Sequence, residues 1–536
     1  MARTKDQTIR EITMEYLDRI LPTDHINPAI IKADILDELT NAFELENTNK
    51  DKGKRWKFMD KLVPAQIALI ILRLYHVANI AYAGLDAESQ YDVLSIYQSE
   101  GEDEGIYISD EQAFARIAQQ YCFTISIKEL KEVIAMIRRE APRKERCKDR
   151  NLIAVNNGIF DYETKTLMPF DPEFVFTAKS KVNYNDQAYN VVIHNPDDNT
   201  DWDVESWMAD LSDDPEIVNV LWQILGAIIR PNVPWNISAW FYSNTGNNGK
   251  GTLCELMRQL CGKGSYASIS LSNFSKDFML EPLIRATAII VDENDVGTYI
   301  DKAANLKAVV TNDVIQINRK FMMPIAYQFM GFMVQCLNEL PKVKDKSDSF
   351  YRRQLFIPFT KCFTGKERKY IKDDYLKRPE VLEYVMYKVL NMDYYELDMP
   401  QACKDALDEY KEFNDPIRQF FNEVVLEASW DFLPLKLLYD LYKIWFKKNN
   451  PSGTMLSSNP FKQSLISIVK QSDEWKCPKN KMRAGKYMSV PEPLLYEYGL
   501  TDWITDWKNK TMPAQQYGIL RITASSANAP TKDVDD

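Results

Sequence analysis

The feature that most constrains this chain is the segment "SNTGNNGKGTL", residues 243–253, which follows directly on the apolar run "WNISAWFY". The sequence of this segment is close to the pattern G-x-x-x-x-G-K-[ST], which follows a strand in phosphate-binding loops. In that pattern backbone N–H groups surround the phosphates, and the lysine reaches the β and γ oxygens. Two positions depart from the pattern: Asn244 replaces the first glycine, and Gly251 separates Lys250 from the hydroxyl of Thr252. A plain Asn/Gly turn has the same letters, so the segment alone leaves both interpretations open.

The loop, if functional, also predicts which residues hold a nucleotide. Asparagine tolerates positive φ better than most residues, so Asn244 is compatible with a tight phosphate-binding turn. Lys250 is the predicted catalytic cation, and Thr252 is the predicted hydroxyl ligand of Mg²⁺. ATP and Mg²⁺ are the expected cofactors, and the predicted nucleotide contacts are Asn244, Gly246, Asn248, Gly249, Lys250, Gly251 and Thr252.

A second apolar strand downstream, "ATAIIVDEND" (residues 286–295), ends in acidic residues. Buried parallel strands read as near-continuous apolar runs, and functional carboxylates stand at their C-terminal ends. Asp292 is predicted to bind Mg²⁺, and Glu293 to orient or deprotonate the attacking water. A strand followed by an ordinary acidic turn is the alternative, and the loop upstream favours the functional interpretation.

Two further features follow in chain order. The strand "FMGFMVQCLNELP" (residues 329–341) ends at Asn338, whose amide is predicted to sense the γ-phosphate and position water; capping of the next turn is the alternative. The segment "SFYRRQLFIPF" (residues 349–359) carries an arginine pair, and an arginine supplied by a neighbouring subunit stabilises the charge of phosphoryl transfer. Arg353 is the first candidate for this role and Arg352 the second. The loop, the acidic strand end, Asn338 and the arginine pair in this order indicate a nucleotide-hydrolysing site far more specifically than any one of them alone.

Length and composition are those of a multidomain globular protein. The 536 residues suffice for three or four domains, and 45% hydrophobic content allows several cores. The chain has only three histidines, and its eight cysteines include no C-x-x-C pair, so a zinc site is not expected. The cysteines are typical of the reduced thiols of a cytoplasmic protein. The most apolar stretch, residues 67–85, is interrupted by Arg73, His76 and Asn79, so it is predicted to be a core helix and not a membrane span.

Charge is distributed unevenly along the chain. The net charge of −11 argues weakly against a protein coated by nucleic acid but leaves room for local basic sites. Residues 138–150 hold seven basic and three acidic side chains, and residues 476–486 hold five basic and no acidic ones. A solvated surface and a nucleic-acid contact both remain open for the first cluster, whereas the second favours nucleic acid.

Taken together, these motifs resemble those of superfamily 3 helicases, which are compact AAA+ ring motors of viruses, phages and plasmids. The shared elements, in the family's order, are "GNNGKGT", "IIVDEN", a basic hairpin segment, strand-end Asn338 and "YRRQLFIPF". Within that superfamily the chain is similar to the phage/plasmid primase–helicase family, which includes the poxvirus primase–helicase. "LIAVNNGIFDYETKTLMPFDPEFVFTAKSKVNYN" resembles the family's N-terminal flank and "FLPLKLLYDLYKIWFKKNN" its winged-helix module, so the resemblance covers roughly residues 91–500.

The resemblance implies an ATP-dependent DNA helicase that translocates on single-stranded DNA in the replication of a phage, plasmid or mobile genetic island. Its expected partners are single-stranded and forked DNA, origin duplex DNA and further copies of the chain in a hexameric ring. Residues 1–90 contain no Asp-x-Asp strand of the kind that primase domains carry, so a separate primase is a further expected partner. A cytoplasmic location without membrane contact is expected.

The predicted fold class is a multidomain α/β protein with an AAA+ P-loop ATPase core, helical and mixed N-terminal domains and a C-terminal winged helix. The predicted domains are a helical N-terminal domain (1–90), a mixed α/β flank (91–205), the ATPase core (206–365), a helical linker (366–425), a winged-helix DNA-binding domain (426–500) and a partly disordered tail (501–536).

A β-hairpin is predicted between the second and third strands of the core, in "LKAVVTNDVIQINRKFMMPIAYQF" (residues 306–329). In the family that the chain resembles, this segment projects into the channel of the ring and contacts single-stranded DNA. Lys320 is the first candidate for contact with phosphates, Lys307 and Arg319 come next, and Phe321 is expected to stack or wedge. A surface hairpin with a solvated basic turn is the alternative.

The C-terminal unit predicts two helices followed by a basic β-like stretch, which is the order of a winged helix. The second helix is a candidate reader of the major groove. Lys476, Lys479, Lys481, Arg483 and Lys486 cluster without acidic neighbours, and Lys479, Lys481 and Arg483 are the predicted duplex contacts. Such a unit can serve protein contacts instead.

Two other functions remain open. A replication initiator would bind origin duplex and use its ATPase to drive assembly. A small-molecule kinase is suggested by G-K-G-T, which also occurs in adenylate-kinase-like loops. The kinase interpretation predicts a monomer and gives no role to the basic hairpin or wing.

Overall fold

The computed structural model of the protein describes residues 3–48, 50–320, 322–449, 455–483, 487–488, 490–503 and 513–522. The chain divides into two units, residues 1–406 and 407–536. Three large hydrophobic cores lie within residues 9–141, 153–403 and 417–519. In the described ranges, no helix is both long and apolar enough to cross a membrane.

The first core combines helices with a four-stranded sheet. Its elements are α1 (Lys5–Leu17), α2 (Pro28–Thr48), α3 (Pro64–Leu74), β1 (Val77–Ala81), β2 (Val93–Tyr97), β3 (Tyr107–Ile108), α4 (Glu111–Tyr121), α5 (Ile127–Glu140) and β4 (Arg143–Glu145). Capping boxes of Thr4 with Gln7 and of Ser126 with Glu129 fix the starts of α1 and α5. The sheet order is β3-β2-β1-β4.

The apolar stretch at residues 67–85, predicted to be a single core helix, is part helix and part strand. The helix α3 ends at Leu74, Tyr75 adopts extended backbone, and β1 follows two residues later. Periodicity does not distinguish a buried helix from a buried strand in a short apolar run, and for this reason the prediction of a single helix was wrong. The core also continues without a break from Ile9 to Ala141, so it does not divide at the predicted boundary of residue 90.

The second core begins with small antiparallel sheets and a largely buried helix. These elements are β5 (Leu152–Val155), β6 (Gly158–Asp161), β7 (Thr166–Met168), β8 (Ile193–Asn195), β9 (Thr200–Trp202), α6 (Val204–Ala209) and α7 (Pro215–Ile229). Asp214 caps α7, and Pro215 occupies its first turn, where a missing N–H costs nothing.

A five-stranded parallel sheet forms the centre of this core. The elements of this region are β10 (Ser238–Tyr242), α8 (Lys250–Cys261), β11 (Tyr266–Ala267), β12 (Ala288–Val291), β13 (Tyr299–Ile300), α9 (Ala304–Val310), β14 (Val314–Ile317), β15 (Ile325–Gln328), β16 (Phe332–Leu337), β17 (Lys342–Val343), α10 (Asp348–Tyr351) and β18 (Gln354–Pro358). The central sheet has the order β11-β12-β16-β10-β18, and every pair in it is parallel. Its strands are buried, as their near-continuous apolar sequences predict.

The helices after the sheet belong to the same core and are not only a linker. They are α11 (Lys369–Asp373), α12 (Pro379–Asn391) and α13 (Gln401–Asn414). Val385 and Met386 of α12 are buried together with the side chains of α7. The core of residues 153–403 therefore extends across both predicted boundaries, at residues 205 and 365.

The C-terminal unit has its own core and a three-stranded antiparallel sheet. Its elements are α14 (Pro416–Phe420), β19 (Phe432–Pro434), α15 (Leu435–Asn449), α16 (Ser458–Val469), β20 (Trp475–Lys476), β21 (Met482–Arg483), α17 (Pro493–Glu497), β22 (Gln515–Gln516) and β23 (Gly518–Arg521). The sheet order is β19-β23-β20. The sequence assigned residues 501–536 to a tail, yet β23 is the middle strand of this sheet. Residues 504–512 and 523–536 lie outside the described residues.

Candidate nucleotide and nucleic-acid sites

Parallel strands bring the three predicted catalytic segments to one edge of the central sheet. Tyr242 at the end of β10 pairs with Leu337 at the end of β16, and Val291 at the end of β12 pairs with Gln335. The loop after β10, the acidic pair after β12 and Asn338 after β16 therefore leave the sheet at the same edge. The chain separates these segments by tens of residues, and strand order alone brings them together.

The loop between β10 and α8 takes its positive φ angles at residues other than the one that the motif suggested. Asn247 has φ 52° and Gly249 has φ 87°, whereas Asn244 is not among the described residues with positive φ. The side chain of Asn248 donates to the Thr245 carbonyl (2.5 Å) and accepts from the backbone N–H of Lys250 (3.4 Å). Asn244 therefore needs no glycine-like backbone here.

Gly249 stands where the loop enters α8 and could not be another residue without rearrangement. A Cβ at this position would lie 2.6 Å from Leu211 Cδ2, in addition to the cost of its left-handed backbone. The N-terminus of the twelve-residue helix α8 points its unpaired N–H groups toward the loop. Such a helix end favours a bound anion.

Lys250 is a buried cation at the start of α8. The residue is 4% exposed, and its Nζ is buried without a hydrogen-bond partner among the described residues. Burial lowers the pKa of this ammonium, because the charged form is poorly solvated there. An orphaned cation at a helix N-terminus fits the phosphates of a nucleotide, which would supply the missing partners.

The acidic end of β12 is held by residues that the sequence analysis did not identify. Arg258 on α8 pairs with both carboxylate oxygens of Asp292, at 3.1 and 3.2 Å. Asn294 is buried, donates to Gln335 Oε1 (2.9 Å) and accepts from the N–H of Leu271 (2.9 Å). Glu293 lies between them and is exposed. Arg258 lies about two helix turns after Lys250, and an arginine at such a position is too common a feature to have predicted this pairing.

The remaining catalytic candidates lie at opposite edges of the sheet. Asn338 is exposed at the edge that carries the loop. Arg353 precedes β18, and its carbonyl accepts from the N–H of Ser238 at the start of β10 (2.9 Å), so it lies at the far edge. The guanidinium of Arg353 donates to the Ser349 carbonyl and its Nε is buried, whereas Arg352 is exposed.

A cavity of about 780 Å³ opens beside the loop, and sequence reasoning did not predict it. Asn247, Gly249 and Thr252 line it together with two segments, residues 201–211 and 361–373. These segments come from before β10 and after β18, and neither contains a recognisable motif. A cavity of this volume is large enough for a nucleoside beside the loop.

The predicted hairpin is present. Strands β14 and β15 pair antiparallel from Val314 with Gln328 to Ile317 with Ile325. Lys320 is exposed in the connection, and Arg319 is partly buried and donates to the Met323 carbonyl (3.3 Å). Phe321 lies outside the described residues.

Lys307, the other candidate of this region, lies on α9 and not in the hairpin. It forms an ion pair with Asp345 (2.6 Å), and the pairing helps to lower the pKa of that carboxyl against the opposing effect of its burial. This pairing makes Lys307 a weaker candidate for phosphate contact.

The basic stretch of the C-terminal unit is exposed where the structure describes it. Lys476, Lys479, Lys481 and Arg483 are all exposed, and Lys486 lies outside the described residues. The ammonium of Lys481 lies 5.5 Å from the ring centroid of Tyr517. Met482 and Arg483 form β21, which pairs with β22, so the stretch is held as a short ribbon.

Three family models match parts of this chain. One described as D5 N terminal like covers residues 36–214, a family of unknown function (DUF5906) covers residues 241–353, and one described as poxvirus D5 protein-like covers residues 412–505. The resemblance to the poxvirus-type primase–helicase that the motifs indicated is therefore confirmed. A comparison with curated proteins finds no match.

Solved structures give weaker likenesses. The apo C-terminal region of NrS-1 is 14% identical, with 87% of this chain and 100% of that chain covered and a TM-score of 0.42. A second apo structure of that region is 13% identical, with 81% and 98% covered and a TM-score of 0.43. A JCV helicase structure is 15% identical, with 45% and 62% covered and a TM-score of 0.26. Scores below 0.5 do not establish a common fold.

Proposed function

We propose that this chain is an ATP-driven DNA helicase of the poxvirus-type primase–helicase kind, acting in the replication of a phage, plasmid or mobile genetic island. The observation that carries the proposal is Lys250, a buried side chain whose Nζ has no hydrogen-bond partner in the described part of the chain. It stands at a helix N-terminus, on the sheet edge shared with Asp292, Glu293 and Asn338. A buried unpaired charge is costly, and phosphate oxygens compensate it. The family matches supply the helicase class.

The roles of the residues follow from their positions. Lys250 and the N–H groups that open α8 would hold the β and γ phosphates. Glu293 would orient the attacking water and accept its proton. Strand β16 lies between β10 and β12, so Asn338 would reach the γ-phosphate from between the loop and the acidic pair. This strand order supports the proposal of an AAA+ core.

The residues present also fit Mg²⁺. Thr252 lines the cavity beside the loop, and Asp292 offers a half-exposed carboxylate; both are hard oxygen ligands of the kind that Mg²⁺ prefers. Bound there, Mg²⁺ would neutralise phosphate charge. Arg258 pairs with both oxygens of Asp292 and so orients this carboxylate.

Hydrolysis would require a second subunit. The arginine pair before β18 lies at the sheet edge opposite the loop, so neither arginine is placed to reach the nucleotide of its own chain. Arg352 is the stronger candidate for contact with the neighbouring nucleotide, because it is exposed while the guanidinium of Arg353 donates to the backbone carbonyl of Ser349. A closed ring, which we propose is a hexamer, supplies such a neighbour at every site.

Two surfaces would contact DNA. The hairpin loop, with Lys320 and Arg319, would follow the backbone of single-stranded DNA. The order β19, α15, α16, β20, β23, with β23 in the middle of the sheet, supports a winged helix, whose exposed basic ribbon suits duplex phosphates.

Strand displacement on a forked DNA substrate tests the proposal. Wild-type chain with ATP and Mg²⁺ is expected to separate the strands, whereas Lys250→Ala should lose ATP hydrolysis and unwinding together. Glu293→Gln should retain ATP binding without turnover. An ATPase that binds duplex origin DNA but never displaces a strand would favour the initiator alternative, and near-normal turnover in Lys250→Ala would contradict the site itself.

A further inference from the structure

One arginine of the N-terminal core holds the hairpin in place. Arg146, directly after β4, donates from Nη1 to the Tyr327 hydroxyl (3.2 Å) and from Nη2 to the carbonyls of Tyr82 (3.0 Å) and Gln328 (2.5 Å). Its guanidinium lies over the rings of Tyr82 and Tyr327, which are themselves 5.4 Å apart. The hydroxyl of Tyr327 donates to the Leu283 carbonyl (2.6 Å). Strand β15 is thereby fixed against the N-terminal core.

Further arginines gather around this contact from three segments of the chain. Burial raises the pKa of Tyr82 to about 12, and the positive charges of Arg146, Arg285 and Arg319 oppose that rise. The pKa of Arg319 is lowered by burial and also by repulsion from Arg138, against the attraction of Glu281. Arg138 at the end of α5 is thus an electrostatic neighbour of the hairpin loop.

Acidic side chains pair with three of the seven basic residues at positions 138–150, and the first two members of this cluster are not among the three. Arg143 pairs with Asp92, Lys144 with Glu173 and Lys148 with Glu145. Among the described residues, Arg138 and Arg139 form no ion pair, and both are exposed, as is Arg285. Exposed like charges that repel one another and lack carboxylate partners are the electrostatic footprint of a polyanion site.

We propose that Arg138 and Arg139, together with Arg285, continue the nucleic-acid surface of the hairpin loop. The occupant is the sugar–phosphate backbone of single-stranded DNA, held by charge and without base readout. The N-terminal core is then a DNA-contacting part of the motor and sets the path of the strand beside the hairpin. This inference rests on the proposed function, in which the hairpin contacts single-stranded DNA.

The test measures binding of a fluorescein-labelled thirty-nucleotide oligo-dT to the full chain by anisotropy, over a range of salt concentrations. The double variant Arg138→Ala/Arg139→Ala is expected to reduce the slope of log K against log[salt] by about 0.7 for each lost phosphate contact. Both positions are exposed on a helix, where alanine is well tolerated, and a thermal melt checks folding. Lys144→Ala removes the same unit charge from an existing ion pair and should leave the slope unchanged.

Two outcomes would count against the inference in different ways. If the double variant has the wild-type slope while Arg319→Ala reduces it, the end of α5 is a solvated surface and the proposed function stands. If the wild-type chain shows no salt-dependent binding of the oligonucleotide, both this inference and the proposed DNA contact of the hairpin are wrong.

Discussion

At the scale of single residues, Lys250 shows how the proposed nucleotide site would cost stability. The ammonium is buried without a hydrogen-bond partner among the described residues, and burial lowers its pKa from the usual 10.5, because the charged form is poorly solvated there. Nucleotide phosphates would remove that cost. Stability and function are therefore opposed at this position.

Lys250→Met should raise the stability of the nucleotide-free chain by about 1–3 kcal/mol, because methionine fills a similar volume without the buried charge. The lowered folded-state pKa sets the sign: the cost is fully present below that pKa and disappears as the pH rises toward 10.5. Thermal melting of both chains at pH 7 and pH 10 measures the stability gained by Lys250→Met, which should be smaller at the higher pH.

Lys250→Met should also lose the stabilisation that ATP and Mg²⁺ are expected to give the wild-type chain. Lys361→Met is the matched control, since Lys361 lines the cavity beside the loop but pairs with Asp213 (2.8 Å), and it should not gain stability. A Lys250→Met chain that melts below wild type at pH 7 would show that the ammonium has a partner in the nucleotide-free state.

At the scale of elements, the sequence predicted the strands whose hydrophobic pattern differs clearly from that of the flanking residues. Strands β10, β12 and β16 are apolar runs that end at polar residues, and each is present. The hairpin alternates at period two and is also present. The elements that were missed lack such contrast: β1 continues an apolar helix, and β23 lies after a polar segment that reads as a tail.

The candidate site divides in the same way. The shared position of the loop and the strand ends could be predicted, because buried parallel strands end at the same edge of a sheet. Arg258, Asn294 and the cavity segments at residues 201–211 and 361–373 could not, since they reach the site through packing of distant parts of the chain. The choice between Arg352 and Arg353 required knowing which side chain turns outward.

The basic ribbon of the C-terminal unit gives a prediction at this scale. Changing Lys479, Lys481 and Arg483 together to Ala should weaken duplex binding and reduce its salt slope by about 0.9 for each lost phosphate contact. Basal ATPase should survive, because the C-terminal unit has its own core. Filter binding across a salt series and an ATPase assay measure the two effects. Lys443→Ala, which removes a lysine already paired with Asp440 (2.8 Å), is the control, and an unchanged slope in the triple variant would mean that the ribbon faces solvent or another protein.

At the scale of the whole molecule, one chain does not complete the proposed active site. The loop, the acidic pair and Asn338 share one edge of the central sheet, and the arginine pair lies at the other. In the proposed function, an arginine placed in this way would act on the nucleotide of a neighbouring copy, so oligomerisation would be part of the chemistry. The kinase alternative, which predicts a monomer, assigns no role to this arrangement.

Mixing experiments test the shared site. Arg352→Ala should bind ATP normally yet hydrolyse it poorly, within the ~10³–10⁵-fold effect of trans-acting arginines. Lys250→Ala should also be nearly inactive, and mixing the two variants should restore activity, because some interfaces then join an intact loop to an intact arginine.

The variant Arg353→Ala distinguishes the two arginines. The guanidinium of Arg353 donates to the Ser349 carbonyl, so its removal should lower the melting temperature as well. ATPase rates across mixing ratios, read beside the oligomeric state by native mass spectrometry, measure this. If no ratio recovers activity and the chain is a monomer with ATP bound, the ring is wrong and the kinase alternative gains weight.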